Sequence, residues 1–152
     1  MSEQGRAIFR QVVEDQLGSE QATVVDKIYA WVDAHGLRDS IPKGGGVHGG
    51  QYSPFFRSEQ WEVTPFGVTT DKGHVFVNRE GLSRMPPFRI KKNADELLTR
   101  LYEIDQVVRT PKDVYPHLTL ADLQDEDVWH AFFAVLEDAI EKLRRASEKG
   151  IR

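Results

Sequence analysis

Apolar and polar positions follow one another along this chain with three different rhythms. The first is helical: Ile8, Phe9, Val12, Val13 and Leu17 recur at spacings of three and four, and Gly18 is a natural stop. Ser19 can cap a second helix in which Val25, Ile28, Tyr29 and Val32 fall on one stripe, with Gly36 placed to end it. Each helix is predicted to bury one face.

The second rhythm follows an abrupt glycine-rich stretch, residues 44–50, which reads as a loop or an irregular turn. Residues 52–56, 60–66 and 74–79 are short segments rich in aromatic and β-branched side chains, the usual composition of strands. Asp71-Lys72-Gly73 separates Gly67-Val68-Thr69-Thr70 from His74-Val75-Phe76-Val77, so those two runs are predicted to pair as an antiparallel hairpin. Within the second run Val75 and Val77 share one face, and His74, Phe76 and Asn78 the other. Met85-Pro86-Pro87-Phe88 closes this region, because two prolines cannot continue a central strand.

The third rhythm is helical again. Asn93, with Glu96 three positions on, has the signature of a cap ahead of a stripe formed by Leu97, Leu98, Leu101 and Ile104. Residues 110–117, with Pro111 and Pro116, are predicted to be an extended connection, and Thr119 to cap a short turn through Ala121-Asp122-Leu123. The last helix carries Val128, Phe132, Val135, Leu136, Ala139, Ile140 and Leu143 on one face. Asp125, Glu126 and Asp127 crowd its start and Lys142, Arg144 and Arg145 its end, as the helix dipole favours. The expected class is α+β: two N-terminal helices, a small antiparallel sheet of three or four strands, and two C-terminal helices packed on one face. No repeat or long linker interrupts the pattern, so residues 1–152 are expected to form one domain, with a peripheral N-terminal helix in 1–18 and a β-rich segment in 41–93.

Composition narrows the chemistry. The 152 residues contain no cysteine, which removes disulfides, thiolate nucleophiles, zinc–thiolate sites and iron–sulfur clusters together. No apolar run approaches a membrane span and the first residues lack the order of a signal peptide, so the cytoplasm is the expected location and a membrane is not an expected partner. The net charge of −4 argues gently against an anionic partner, but it hides an asymmetry. Residues 1–40 hold four basic and seven acidic side chains, and residues 94–152 eight and thirteen. Residues 41–93 reverse the balance, with eight basic against four acidic.

Enzyme motifs are wanting. The glycine-rich stretch is neither G-x-x-x-x-G-K-[ST] nor G-x-G-x-x-G, and it precedes a strand where both phosphate motifs require a helix. The five histidines (His35, His48, His74, His117 and His130) include no i, i+4 pair and no H-E-x-x-H, so no metal site and no cofactor is expected. Glu62, Asp71, His74 and Glu80 are the nearest material for a metal-dependent nuclease, but Asp71-Lys72-Gly73 is better explained as a turn. Ser53 precedes a proline and lies in no G-x-S-x-G elbow, and no catalytic residue is assigned.

The basic segment also interleaves cations with rings, among them Tyr52, Phe55, Phe56, Trp61, Phe66, Phe76 and Phe88. Such a sheet can contact phosphates with Lys or Arg and stack bases on its aromatics, although sheet aromatics more often belong to a core. The candidate nucleic-acid contacts are Lys43, Arg57, Arg79, Arg84, Arg89, Lys91 and Lys92, of which Arg89-x-Lys91-Lys92 is the most compact cluster.

The order of several motifs is similar to that of a known family. Ala30-Trp31 with Gly36-Leu37, Gly50-Gln51-Tyr52-Ser53-Pro54 and Pro86-Pro87-Phe88 come first. Glu96-Leu97-Leu98-Thr99-Arg100-Leu101 with Ile104, Leu118-Thr119-Leu120-Ala121-Asp122-Leu123 and Phe133-Ala134-Val135-Leu136-Glu137 follow. Together they resemble an uncharacterised bacterial domain usually found C-terminal to restriction-like nuclease or other defence-associated modules. The resemblance runs from Val24 to Arg145 and implies an accessory role near nucleic acid, in a defence or DNA-processing context. Its matching positions are mainly apolar, Gly or Pro, and so carry fold rather than catalysis. This chain departs from the pattern in standing behind a short acidic helix rather than a catalytic module. The expected function is a non-enzymatic accessory module contacting nucleic acid through its basic, aromatic sheet region. The alternatives are a protein-interaction or regulatory subunit, and a metal-dependent nuclease or hydrolase with an unrecognised site.

Overall fold

A computed structural model describes residues 3–40 and 50–150; Lys43 and all of the glycine-rich stretch before Gly50 lie outside the described residues. The chain opens with α1 (Glu3–Leu17) and α2 (Ser19–Ala34), joined by Gly18 alone at φ +101°, a conformation that side-chain-bearing residues rarely adopt. Phe9 and Val13 of α1 and Val25, Ile28 and Val32 of α2 are buried. Gly36, at φ +68°, ends α2 with Leu37 N–H donating back to Val32 O, a six-residue Schellman closure.

Six strands follow: β1 (Arg38–Ser40), β2 (Gln51–Arg57), β3 (Glu62–Val63), β4 (Phe66–Thr69), β5 (His74–Val77) and β6 (His117–Thr119). All pairings are antiparallel, in the order β1-β2-β4-β5-β6 with β3 also on β2. The hairpin of β4 and β5 forms as the sequence predicts, with Val68 opposite Val75 and Gly73 at φ +64° in the turn.

The sheet is larger than expected because β1 and β6, three residues each, are too short to display an alternation. The strand expected over 60–66 is divided. β2 pairs with β3 at Phe56↔Val63 and with β4 at Tyr52↔Val68, so Ser53, Pro54 and Phe55 face the four residues from Thr64 to Gly67. β3 and β4 are thus one strand broken by a single-residue bulge, at a place where Pro65 has no N–H to give the ladder.

Four helices complete the described residues: α3 (Arg79–Ser83), α4 (Pro86–Arg89), α5 (Lys91–Tyr102) and α6 (Glu126–Glu148), with short 3-10 turns at Pro111–Asp113 and Asp122–Gln124. Three expectations change here. The strand expected over 74–79 stops at Val77 because the Asn78 side chain accepts from Gly81 N and caps α3. Pro86 and Pro87 close the sheet region by opening α4, at positions where a helix has no use for an N–H. Asn93 lies inside α5, which starts at Lys91, and its amide donates to Pro87 O at 2.7 Å instead of capping.

The C-terminal half otherwise follows the sequence. Thr119 Oγ1 accepts from Asp122 N and Asp122 Oδ2 from Thr119 N, a reciprocal cap on the predicted turn. Asp125 caps α6 by accepting from Asp127 N and Val128 N. Every apolar position foreseen on α6 is buried, and Trp129, Phe133 and Ala146 widen the stripe.

The helices cover one face of the sheet. Tyr52 of β2 meets Phe9 of α1 and Tyr29 of α2 at 5.8 and 5.1 Å between ring centroids, and Phe66 of β4 meets Trp31 and Phe133 at 5.8 Å each. α5 docks beside α6, with Arg100 paired to Asp138 at 3.2 Å. The opposite face, with Gln51, Ser53, Thr69, His74, Phe76 and His117, is exposed or half-exposed. Among the described residues no helix is long and apolar enough to cross a membrane.

Candidate functional site

The open face of the sheet holds a cleft of about 630 Å³, and its walls follow from the strand period. Val75 and Val77 enter the core, which turns His74 and Phe76 outward, and Leu118 enters the core, which turns His117 outward beside them. The bulge adds Thr64, and the connection before β6 contributes Thr110 and Tyr115.

Phe76 lies flat because nothing stands beneath it. Gly67 is its cross-strand partner, and a Cβ there would come within 2.5 Å of Phe76 Cζ. The ring meets Tyr115 edge-on at 5.5 Å between centroids, and Tyr115 is 46% exposed. Beside them His74 and His117 stack at 4.2 Å and 25°. The Nδ1 of His117 lies 3.2 Å from Tyr115 O, which the Nδ1–H tautomer can donate to. His74 has its pKa lowered, first by burial and then by His117 and Lys72, so its imidazole is neutral near pH 7.

Asn78 holds the end of this wall. Its Nδ2 donates to Thr64 O, a carbonyl released by the bulge, and its N–H to Pro65 O, each at 2.9 Å, while its Oδ1 caps α3. Among the described residues no carboxylate, lysine or arginine lines the cleft. Its chemistry is that of rings, amides, hydroxyls and two imidazoles: it can stack a planar group and exchange hydrogen bonds with it. Ser53 Oγ accepts from Gln51 Nε2 at 2.7 Å and has no hydrogen bond to a histidine among the described residues.

The predicted basic residues lie elsewhere. Arg57 pairs with Glu62 at 3.0 Å, Arg84 with Glu80 at 3.2 Å, and Lys91 with Asp95 at 2.6 Å. Arg89 Nε donates to Arg84 O at 2.8 Å, which brings those two together at the turn between α3 and α4, and exposed Lys91 and Lys92 follow at the start of α5. Arg79, the first residue of α3, has a buried Nε with no acceptor among the described residues. Lys43 lies outside the described residues. None of the six described cations lines the cleft. Of the rings thought to accompany them, Tyr52, Phe56, Phe66 and Phe88 are core, whereas Phe76 faces the cleft. Glu62, Asp71, His74 and Glu80 belong to separate elements, and no group of three or more such side chains able to hold a metal occurs among the described residues.

Two further clusters flank the sheet. At one edge Arg6 of α1 binds Asp39 of β1 through Nε at 2.6 Å and Asp33 of α2 through Nη2 at 2.7 Å, while the Tyr52 hydroxyl donates to Asp39. At the other the Tyr102 hydroxyl donates to Asp113, and the Arg109 guanidinium lies 4.0 Å over the Tyr102 ring. Burial first, and then the bond to Asp113, push the Tyr102 pKa up to about 12. Lys112 and Asp113 here have φ of 59° and 54°, two successive non-glycine residues in the left-handed region.

Tyr115 and His117 are the cleft residues that periodicity missed, since both lie in or next to the proline-bounded connection; an aromatic and a histidine on either side of Pro116 were the available signal. Comparison of the chain with known protein families, with curated proteins and with solved structures gives no significant match.

Proposed function

We propose that the protein is a non-enzymatic module that binds single-stranded nucleic acid on the open face of its sheet, in the accessory role that the sequence resemblance implies. One observation carries this reading: Phe76, laid flat over Gly67, and Tyr115 form an uncovered aromatic corner in a cleft whose described lining has no carboxylate, lysine or arginine. A base offers a flat, neutral surface for such rings and edges that amides and hydroxyls can bond. A single strand presents its bases this way, whereas a duplex offers its charged backbone, for which the described cleft lining has no cation.

Fluorescence anisotropy with labelled single-stranded DNA, single-stranded RNA and duplex at low salt tests it. The expected order is single strand over duplex. Phe76→Ala and Tyr115→Ala are each expected to weaken binding by about 1–3 kcal/mol, roughly 5- to 150-fold, the usual worth of one stacked base. Absence of binding, or binding indifferent to both substitutions, overturns the reading.

A further inference from the structure

The four described histidines divide into two kinds. His35 Nε2 lies 3.8 Å from Glu137 Oε1 and His130 Nε2 lies 3.6 Å from Glu126 Oε2, so each has a carboxylate to receive its charge. His74 and His117 form no ion pair with a carboxylate among the described residues. Both line the cleft, stacked on each other at 4.2 Å, and the His74 ring makes no hydrogen bond there. The ionisable groups of the described lining that titrate near neutral pH are thus two imidazoles, which can only become positive.

Their surroundings hold that charge back until something else balances it. His117 Nδ1 lies 3.2 Å from Tyr115 O, and a carbonyl only accepts, so this contact keeps the proton on Nδ1 and leaves Nε2 a lone pair while the ring is neutral. Protonation turns Nε2 from an acceptor, which repels an anion, into a donor, which attracts one. Burial holds the His74 ring neutral, helped by His117 of β6 and by Lys72 in the turn between β4 and β5, and opposed by Asp71 of the same turn. Asp122, beyond β6, accepts from Thr119 N–H. On the connection beside His117, Arg109 and Asp113 are turned to Tyr102 in the neighbouring cavity, and no charged side chain of that segment lines the cleft. Two positive charges on stacked rings would repel, so the pair takes up one proton before a second.

We propose that His74 and His117 form a proton-dependent phosphate subsite of the cleft, taking up one proton from solvent as they receive a phosphodiester of the strand whose base lies on Phe76. The proposal rests on the single-strand reading above and names what holds the backbone of that strand. His117 is the cross-strand partner of Phe76, which sets imidazole and ring side by side with about 4.5–5.5 Å between their Cβ atoms, a span that one nucleotide bridges. The phosphate supplies the negative charge that the lining lacks, and a charged imidazole gives it a short, charge-assisted hydrogen bond. An anion at this place favours the charged ring, so the pair binds its proton more tightly with the strand present than without it. Binding is therefore expected to strengthen as pH falls through the range of the occupied pair and to level off below that of the empty one.

The test is an anisotropy titration of a labelled oligothymidylate over a KCl series at about pH 8 and again at about pH 6, a window in which imidazole titrates and neither thymine nor a phosphodiester does. Uptake of one proton is expected to tighten binding by up to about tenfold per pH unit. Pairing one single-strand phosphate is expected to steepen the log–log salt slope by about 0.7 at the lower pH. His74→Gln/His117→Gln is expected to show neither change, and His130→Gln, on the exposed side of α6, to show both. Wild type with an oligothymidylate of uncharged methylphosphonate backbone is expected to bind without dependence on pH, an arm that needs no variant to fold. A wild-type affinity indifferent to pH, a pH response kept by the folded double variant, or one shared by the uncharged backbone overturns the subsite. If Phe76→Ala is still damaging in any of these cases, the base-binding face stands. Wild type that binds no oligothymidylate at either pH overturns both.

Discussion

The smallest decisive feature is the absence of one methyl group. Gly67 is half of a cross-strand pair whose other half is Phe76, and the ring occupies the space that a Cβ would fill, with Tyr52 O also within 3.0 Å of that position. Gly67→Ala is expected to cost about 1–3 kcal/mol by overpacking and to weaken oligonucleotide binding by tilting the ring away from the sheet. Placing the same substitution in a Phe76→Leu background should remove most of the stability cost, a non-additivity that urea melts of the single and double variants measure. Additive costs would mean that Tyr52 O, not the ring, excludes the methyl. At this scale the sequence was only half legible. Alternation alone put His74 and Phe76 together on the face opposite Val75 and Val77, but that Gly67 lies under Phe76 depends on pairing register, which no single strand contains.

Elements differ in how far each declares itself locally. α2 and α6 bury long stripes, and the hairpin of β4 and β5 has both alternation and a turn, so all four could be foreseen. β1 and β6 exist only because a neighbour supplies hydrogen bonds, and α3 and α4, five and four residues long, are held by the Asn78 cap and by proline placement. Elements that short have too little periodicity to read and are decided by their surroundings. The edge at β1 gives a second prediction. Asp39, its side chain 6% exposed, is satisfied by Arg6 and Tyr52, so Arg6 fastens α1 to β1. Arg6→Met is expected to cost about 2–3 kcal/mol, because it leaves the Asp39 carboxylate buried without its cation. A urea midpoint equal to wild type would show that the Tyr52 hydroxyl alone suffices.

For the molecule as a whole, two depressed pKa values predict how stability follows pH. Burial, with His117 and Lys72, lowers that of His74, and the bond to Arg6 lowers that of Asp33. In each case the unfolded chain takes up the proton first as pH falls, so stability present above the unfolded pKa is lost below it. Urea midpoints are expected to hold above about pH 6.5, to fall as the medium is acidified through the His74 range, and to fall again below about pH 4, the second decline shallow because Asp33 is exposed. His74→Gln should lack the first decline; its persistence in that variant would assign it to another group. The bulge between β3 and β4 has a consequence at the same scale. Val63 and Val68 are both buried yet stand five positions apart, an odd interval that an unbroken strand would send to opposite faces. The extra residue restores their parity, so which face of the sheet is core and which is open is a matter of counting along the chain rather than of side-chain identity. No exchange of one residue for another can invert the two faces, whereas the deletion or insertion of a single residue between Val63 and Val68 can.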